Sequence, residues 1–552
     1  LNGDGLSGPR IDIGAFERVN DFNPNNPIAA EIQAGSITVN VERVATGLIS
    51  PSLVVNAGDG SGRVFVSDQI GFVRVIKNGT LQSAPFLDIT NKITSTLNGN
   101  QEVGLSGFTF HPEFAVQDAA GFGKFYTWVD ELLDTLAPVD FTHFPLEPGK
   151  IRAAQSVLRE WTMNDIAKDV FSGTSRELLR IDQPHDAHSA GDLKFGPDGY
   201  LYISLGDGGT HDDQGPGHIP DTGNASNLTT IYGKILRIDP LGTNSANGKY
   251  GIPATNPFVG NPNALDEIYF YGLRNPFRFS FESDQYGELT TKIVIGDTGQ
   301  DHIEEVDRAD IVSDAGGNFG WNRKEGTFLF DAGPPPGPGG ELRIGATADS
   351  PGSPLGLIDP VVQYDHDEGT AVIGGVTYQG DLIPQLKGMY IFGDFNESFS
   401  GPSVPDGRIF YADLDAPNPE IFELMLVGQQ LSLGDGVSIF IKGFGLDESG
   451  EIYVAGSTTL SSGDSSGVVL RLTAVLPPSG TLQATITGND LTVVDIDSTA
   501  RNNDLTITVS GANLVITDAS ETFASVPAGG VLSNGNQTMT IPLASFTGRL
   551  IV

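Results

Sequence analysis

A short unit that recurs six times constrains the fold of this chain more than any other feature. Each unit joins a short apolar strand to a turn that contains Gly, Asp or Pro, and then to an aromatic-rich strand of alternating polarity. The unit DLKFGPDGYLYISLGDGG is one example, and Gly-Asp often follows the second strand. The six units lie near residues 65, 120, 200, 290, 385 and 450. Alternating strands joined by tight turns are typical of antiparallel sheets.

The repetition predicts an all-β fold, namely a six-bladed β-propeller. One such sheet cannot bury both of its faces, whereas sheets stacked around an axis bury them against each other and keep only short edges. An array of β-sandwiches is the main alternative, but it does not explain why Gly-Asp follows the same strand repeatedly. The segments between the units are 131–180, 208–232, 240–266, 325–360 and 396–408. Loops of this kind on one face of a propeller usually build its site.

The two ends of the chain differ from the repeats. Residues 1–36 are polar and turn-rich, and we expect an N-terminal extension that ends an upstream module. The propeller is predicted over 37–473. Residues 474–552 contain short alternating runs after the linker LPPSG, which predicts a small all-β C-terminal domain for attachment or sorting. The chain starts with Leu1 rather than Met, so we expect a processed end and a larger precursor or a cell-surface assembly.

Charge and composition exclude several classes of function. The chain has 69 Asp and Glu against 31 Lys and Arg, a net charge of −38, which disfavours nucleic acids and anionic membranes as partners. It contains no Cys, so disulfides, thiolate zinc sites and cysteine nucleophiles are absent. No apolar run is long enough to span a bilayer. A solvated acidic surface explains most of the charge, which also suits calcium binding or a saline exterior.

Five passages resemble the glucose/sorbosone dehydrogenase superfamily, and they occur in the family's order. They occupy residues 104–114, 188–209, 272–282, 296–307 and 316–326, within a similarity over roughly 38–473. The sequence is most similar to the branch that aldose sugar dehydrogenases share with hedgehog-interacting-protein-like domains. The resemblance implies a six-bladed propeller whose enzymes oxidise the C1 hydroxyl of a sugar with pyrroloquinoline quinone (PQQ).

The resemblance implies a catalytic set. His188 stands where the family has the general base, a task that suits imidazole because its pKa lies near neutrality. His185 is the alternative if the register slips. Asp207 matches the acid that orients the base, and Arg274 and Asn275 match a pair beside the quinone. The structural alternatives are a loop histidine, a turn acid and a turn locked by Arg-Asn-Pro.

Other matches bear on the cofactor. Glu102 or its neighbour Gln101 stands where quinone enzymes usually carry Gln and the other branch tends to carry an acid. A cofactor-binding Lys position falls near Pro405, and two Arg positions fall on Phe440 and Lys442. Lys442 keeps one cation, whereas Phe440 does not. Because PQQ has three carboxylates, the missing cations remove charge-assisted hydrogen bonds.

Calcium is the metal that the acidic loops favour, because it takes six to eight oxygen ligands. The resemblance implies that backbone carbonyls of the loop 296–300 hold it, and acids nearby form further candidates. The candidate metal residues are Asp297, Gly299, Gln300, Glu304, Glu305, Asp365 and Asp367, with Asp307 and Glu368 adjacent. Acidic turns without a metal are the alternative. A transition-metal site is suggested by three histidines, His366, His211 and His218, but no H-x-x-x-H pair or thiolate supports it.

Two functions therefore stay open for a protein expected to be secreted, extracellular or periplasmic. The first is a quinone-dependent aldose dehydrogenase acting on a sugar or polysaccharide-derived sugar. The second is a non-catalytic, calcium-stabilised propeller that serves as a binding, adhesive or structural module. A hydrolase is a third class, but the chain has no G-x-S-x-G elbow and no carboxylate pair that stands out.

Overall fold

The computed structural model describes most of the chain outside its ends and several loops. The described residues are 28, 31–93, 102–143, 145, 154–284, 286–332, 341–342, 356–396, 405–427, 439–460, 464–475, 482–495, 505–518, 522–533 and 536–552. Most of the predicted N-terminal extension, 1–36, lies outside the described residues, and so does the candidate Gln101. By its contacts the chain divides into two compact units, Leu1–Thr473 and Ala474–Val552.

The first half of unit 1 contains a long entry strand and three blades. The entry strand is β1 (Gln33–Leu48). Blade 1 contains β2 (Pro51–Asn56), β3 (Val64–Asp68) and β4 (Phe72–Lys77), with short β5 (Thr80–Leu81) and β6 (Leu87–Asp88) paired to β4. Blade 2 contains β7 (Leu105–Phe110), β8 (Lys124–Glu131), β9 (Ala154–Met163) and β10 (Gly173–Gln183). Blade 3 contains β11 (Leu193–Phe195), β12 (Leu201–Leu205), β13 (Lys234–Ile238) and β14 (Ile268–Tyr271).

The second half contains three more blades. Blade 4 contains β15 (Pro276–Ser283), β16 (Leu289–Asp297) and β17 (Ile303–Asp310); an insert with β18 (Lys324–Glu325), β19 (Phe328–Asp331) and β20 (Glu341–Leu342) precedes its last strand, β21 (Val362–Asp365). Blade 5 contains β22 (Val372–Thr377), β23 (Tyr390–Asp394), β24 (Arg408–Ala412) and β25 (Phe422–Val427), with a 3-10 turn at Pro384–Leu386. Blade 6 contains β26 (Phe440–Leu446), β27 (Ile452–Ser457) and β28 (Gly467–Ala474).

The ring closes through its inner and its outer strands. The first strands of successive blades contact one another in the order β2, β7, β11, β15, β22 and β26, and β26 contacts β2 again. The entry strand β1 pairs with β28 and, in parallel, with β25, so it completes blade 6 from the other end of the chain. The predicted all-β fold and six-bladed propeller are confirmed.

Aromatic side chains fill the space between the blades, which accounts for much of the Phe content. Between blades 1 and 2, the rings of Phe65 and Phe86 meet edge to face at 5.0 Å, and those of Phe108 and Phe110 do the same at 5.0 Å. Such pairs stabilise a core by about 0.5–1.5 kcal/mol beyond the area they bury.

Glycine lets the inner strands approach the axis closely. A Cβ atom on Gly107 of β7 would lie 2.2 Å from the carbonyl oxygen of Gly191. One on Gly443 of β26 would lie 2.1 Å from the carbonyl oxygen of Ser52. Both distances are far below van der Waals contact, so these positions require the missing side chain.

Unit 2 is a small all-β domain with its own core. One sheet has the order β33 (Phe523–Ser525), β29 (Leu482–Thr487), β30 (Asp490–Asp495) and β36 (Leu550–Ile551). The other has the order β31 (Leu505–Ser510), β32 (Asn513–Asp518), β35 (Thr538–Pro542) and β34 (Val531–Ser533), with a 3-10 turn at Leu543–Ser545. Leu491, Ile516, Phe523, Met539 and Ile541 are buried between them. In the described parts of both units, no helix is long and apolar enough to cross a membrane.

Candidate functional site

The acid at the end of the second strand has the same structural role in three blades. In blade 1, both carboxylate oxygens of Asp68 accept backbone amides from the loop that enters the blade, each at 2.8 Å. Asp297 accepts the amides of Arg274 and Asn275 at 2.9 and 2.7 Å in blade 4. Asp394 accepts the amides of two loop residues at 2.9 and 3.0 Å in blade 5. Each carboxylate therefore holds the loop that leads into its own blade.

Asp207, which follows the second strand of blade 3, has a histidine as its main partner. Its Oδ1 lies 2.6 Å from Nδ1 of His188 and accepts the amide of Gly209 at 3.0 Å. Its Oδ2 accepts the indole N–H of Trp321 at 2.9 Å. His188 and Asp207 are completely buried, and His188 has a left-handed backbone with φ of 54°. The pair therefore has the geometry of a carboxylate that orients an imidazole.

The surroundings of His188 favour its charged form. Burial and the positive charge of Arg274 lower the pKa of the imidazole, but the charge and hydrogen bond of Asp207, with help from Glu102, outweigh both. The result raises the pKa of His188 to about 9. Near neutral pH the resting state is an imidazolium paired with a carboxylate, and not a free base.

Arg274 is committed to the protein itself. Its Nη1 donates to the carbonyl oxygens of Thr298 and Gly299 at 3.2 and 2.8 Å, and its guanidinium lies 5.7 Å from the ring centre of Trp321. Only 2% of Arg274 is exposed. The predicted calcium loop thus offers its carbonyls to a guanidinium from the preceding loop.

Glu102 is a buried acid that links blade 4 to the loop before blade 2. Its Oε1 accepts the side-chain amide of Asn275 at 2.9 Å, and its Oε2 accepts the backbone amide of Ser189 at 3.1 Å. Glu102 and Asn275 are 1% and 0% exposed. The acid therefore ties together the loops that carry His188 and Arg274.

The blade 6 side of the ring is different. Nζ of Lys442 donates to the hydroxyl of Ser50 at 2.7 Å, and burial lowers its pKa to about 8 although Asp68 partly opposes this. Phe440 is 1% exposed and stacks on Phe395 at 5.1 Å. Pro405 is half-buried and carries no charge.

Backbone amides at the end of the predicted calcium loop and just after it surround a carboxylate. The backbone N–H groups of Gln300, Asp301, His302 and Ile303 all donate to Oε1 of Glu325, at 2.9–3.1 Å. Burial alone would raise the pKa of Glu325, but the contact with His302 and the backbone hydrogen bonds outweigh this desolvation and lower the pKa to about 2. The segment 298–303 thus binds the carboxylate of Glu325 with its N–H groups and the guanidinium of Arg274 with its carbonyls.

The other predicted metal residues are distributed over two strands. Glu304 of β17 contacts Nε2 of His366 at 2.8 Å and accepts the amide of Val372 at 2.8 Å. Glu305 accepts the amide of Gly326 at 2.7 Å, and burial raises its pKa to about 8 despite Lys324. Asp365 of β21 caps the amide of Asp367 at 3.2 Å, and Asp367 itself is exposed. The carboxylates of Glu304, Glu305 and Asp365 therefore already contact backbone N–H groups, and that of Glu304 also contacts an imidazole.

The structure also brings together residues that the sequence did not combine. Asp207, Asp213 and His218 are buried, and one ligand atom from each lies within 4.8 Å of the others. Burial lowers the pKa of His218 to about 4 and raises that of Asp213 well above its usual range. From sequence, His218 was a transition-metal candidate together with His211 and His366, and not with an acid. The run HDDQGPGH was a signal that could have placed it with an acid.

Comparisons with known proteins agree with this architecture. The family model for glucose/sorbosone dehydrogenase matches residues 50–399. The HIPL1 protein of Arabidopsis thaliana is 30% identical over 70% of this chain and 56% of its own length. The hedgehog-interacting protein of Mus musculus is 27% identical over 76% of this chain and 50% of its own. The chain thus spans about half the length of these curated relatives.

Solved structures share the fold. The apo-form of the soluble aldose sugar dehydrogenase of Escherichia coli covers 79% of this chain and 99% of its own, with a TM-score of 0.53 and 19% identity. The PQQ-bound aldose sugar dehydrogenase of Streptomyces coelicolor covers 80% of this chain and 99% of its own, with a TM-score of 0.50 and 20% identity. With the family model matching more than half of its length, this chain belongs to the glucose/sorbosone dehydrogenase family.

Proposed function

We propose that this protein is a secreted, non-catalytic binding propeller, in which the chain's own side chains occupy the position of the family's cofactor. The contact that carries this function joins Arg274 to the carbonyls of Thr298 and Gly299. In the family resemblance those carbonyls hold the calcium that faces the quinone. Here a guanidinium, which is permanently charged, already donates hydrogen bonds to both carbonyl oxygens.

The charges around this position do not fit PQQ. A tricarboxylate needs cations, but the buried groups around Arg274 include the acids Asp207 and Asp297. Glu102 bonds to Asn275, the amide that would otherwise face the quinone. A buried carboxylate next to a carboxylated ligand raises the energy of the complex by repulsion in a medium of low dielectric constant.

The opposite side of the ring does not supply the cations that PQQ needs. Phe440 offers an aromatic ring where the family's quinone enzymes carry Arg. Lys442 is buried, and its ammonium is bonded to Ser50. Burial also makes its charged form less favourable. No step of a quinone reaction is therefore assigned to these residues.

The partner of a binding propeller is an extracellular macromolecule. One relative, the hedgehog-interacting protein, is named for binding to another protein. For this chain the net charge of −38 favours a partner with a basic surface and disfavours an acidic polysaccharide. Neutral polysaccharides remain compatible with that charge.

Sugar oxidation is the second candidate, and the His188–Asp207 pair favours it. The hydrogen bond of 2.6 Å fixes the imidazole in the orientation that a general base needs. With a pKa of about 9, however, His188 would first have to lose its proton. This candidate also requires a quinone from solution.

The two candidates separate in one titration. The metal-stripped protein is titrated with PQQ, with and without CaCl2, while quinone absorbance and aldose-dependent dye reduction are followed. We expect no saturable quinone binding up to high micromolar concentrations and no dye reduction. Saturable binding with sugar-dependent reduction that disappears in His188→Ala would replace the binding module by the dehydrogenase. The soluble aldose sugar dehydrogenase of Escherichia coli is the positive control.

A further inference from the structure

A second cluster of ligand groups lies next to the His188–Asp207 pair, on the loop that follows the second strand of blade 3. It consists of Asp207, Asp213 and His218, which are 0%, 0% and 1% exposed. One ligand atom from each lies within 4.8 Å of the other two. We propose that this cluster binds a divalent transition-metal ion of the Zn2+ or Mn2+ class, at a site distinct from the loop 296–300.

The tautomer of His218 directs a lone pair into the cluster. Its Nδ1 lies 3.4 Å from the carbonyl oxygen of Pro216, which can only accept a hydrogen bond. It also lies 3.4 Å from the hydroxyl oxygen of Thr210, whose own proton goes to the carbonyl of Gln214. Nδ1 therefore carries the proton, and Nε2 carries the lone pair.

That lone pair faces a carboxylate without a hydrogen bond between them. Among the residues that the structure describes, Nε2 of His218 has no hydrogen-bond partner, and it lies 3.6 Å from Oδ1 of Asp213. This separation is too long for a hydrogen bond, and two buried lone pairs that face each other repel. An ion roughly 2.0–2.2 Å from each atom spans such a gap and replaces repulsion by coordination.

Hydrogen bonds from the protein already orient both carboxylates. Asp213 accepts the backbone amides of Asn224 and Ala225 at 2.7 and 2.8 Å. Asp207 is held by the indole of Trp321 at 2.9 Å. Metal-ligating carboxylates usually have such second partners, and their other lone pairs stay available. Three protein ligands leave a coordination position for water or for a group of the bound partner.

The ligand chemistry selects the class of ion. Calcium takes six to eight oxygen atoms and rarely imidazole, whereas Zn2+ and Mn2+ accept a mixture of imidazole and carboxylate. The nearby Lys234 ammonium donates to the carbonyls of Asn224, Ala225 and Tyr232, and not to the carboxylate of Asp213. A metal cation at the cluster would therefore give the carboxylate of Asp213 the direct positive partner that Lys234 does not provide.

Calorimetric titration of the full chain tests the site. The protein is first dialysed against a chelator and then titrated with ZnCl2, with MnCl2, and with ZnCl2 in excess CaCl2. We expect one equivalent of Zn2+ or Mn2+ to bind, to resist competition by calcium, and to raise the melting temperature. Absence of saturable binding by both ions, or displacement of the bound ion by calcium, would overturn the proposal.

Two matched variants locate the ion. His218→Phe removes the ligand nitrogen but keeps a ring beside His185, whose imidazole stacks on His218 at 6.1 Å. His185→Phe makes the same change at a residue outside the cluster. We expect His218→Phe to weaken binding at least tenfold and His185→Phe to bind as the unchanged protein does. Equal binding in both variants would place the ion elsewhere and overturn the site.

A second substitution protects the test against misfolding. Asp213→Asn keeps one oxygen for a backbone amide and removes the ligand charge, so it should weaken binding as His218→Phe does, with a circular dichroism spectrum like that of the unchanged protein. Full affinity in a folded Asp213→Asn protein contradicts the proposal. The site does not rest on the proposed binding function, because the quinone and metal titrations use different ligands and different variants.

Discussion

The acids that end the second strands of blades 3 and 4 occupy equivalent positions but have different partners. Asp297 in blade 4 accepts two backbone amides of the loop that enters its blade, as Asp68 and Asp394 do in blades 1 and 5. Asp207 in blade 3 has an imidazole and an indole as partners. The repeat therefore supplies the acid in all four blades, and in blade 3 its side-chain partners are an imidazole and an indole in place of the entering loop's amides.

This difference also separates two parts of the centre. In blade 4 the amides and carbonyls of the loops are paired within the chain, including the carbonyls of Thr298 and Gly299 with Arg274. In blade 3 the Nε2 atom of His218 has no hydrogen-bond partner within the described part of the chain. We therefore expect the blade 4 loops to be closed to ligands and the blade 3 loop to bind one.

The largest expected effect is on the structural acid of blade 5. In Asp394→Asn, one carboxylate oxygen becomes an N–H2 group, so the backbone N–H of Ala371 loses the oxygen to which it donates at 3.0 Å. An unpaired buried amide costs about 1–3 kcal/mol, so the free energy of unfolding should fall by about 2 kcal/mol. Urea unfolding measures it.

Zinc binding by the same variant tests whether the acids of blades 3 and 5 have separate roles. Zinc affinity should stay unchanged in Asp394→Asn, because blade 5 is not part of the cluster. Asp413→Asn is the control for the change of acid to amide, since Asp413 is exposed. A loss of zinc binding in Asp394→Asn, or an unfolding curve that matches the control, would contradict the separate roles.

The next effect is the pH dependence of stability. Asp130 in blade 2 is completely buried, and desolvation raises its pKa to about 7 although the hydroxyl of Ser156 donates to it. Between pH 4 and 7 the folded protein keeps a proton that the unfolded chain, with a carboxyl pKa of about 4, has released. Stability should therefore fall as pH rises through this window and then level off above it.

Thermal unfolding between pH 5 and 8 measures this slope. Asp130→Asn has no proton to lose and keeps an oxygen for Ser156, so the fall in melting temperature should become smaller. Asp165→Asn, an exposed acid on the same blade, should leave the slope unchanged. If Asp130→Asn retains the full slope, its carboxyl does not hold the proton.

The smallest effect concerns the acid at the centre. Glu102→Gln keeps an oxygen for Asn275 but turns an N–H2 group towards the amide of Ser189, which should lower the free energy of unfolding by about 1 kcal/mol. Quinone should still not bind, because Arg274 and Phe440 are unchanged. Glu420→Gln, at an exposed acid, is the control. Saturable PQQ binding by the single variant Glu102→Gln would show that the carboxylate of Glu102 is what prevents quinone binding.

The sequence predicts the fold well because every blade repeats the same physical solution. Alternating strands, turn residues and a terminal acid recur, and each blade can be recognised from its neighbours. Asp207 and His188 were also predictable, since a motif carries both. The use of Asp297 as a loop clamp was not, because its partners are backbone amides that have no sequence signature.

The rest of the site depends on contacts between distant segments. Glu102 meets Asn275 across 173 positions of the chain, and Trp321 meets Asp207 across 114. His218 and Asp213 were visible in one loop, but their approach to Asp207 depends on how that loop folds back. Only the three-dimensional arrangement shows that the predicted calcium carbonyls have a guanidinium as their partner.

A crystal structure of the protein soaked with PQQ and CaCl2 tests the central claim most directly. The account predicts that Nη1 of Arg274 stays within hydrogen-bond distance of the carbonyl oxygens of Thr298 and Gly299, at about their present 3.2 and 2.8 Å, with no calcium beside them. An ion on these two carbonyls, with the guanidinium displaced onto a bound quinone, would contradict it.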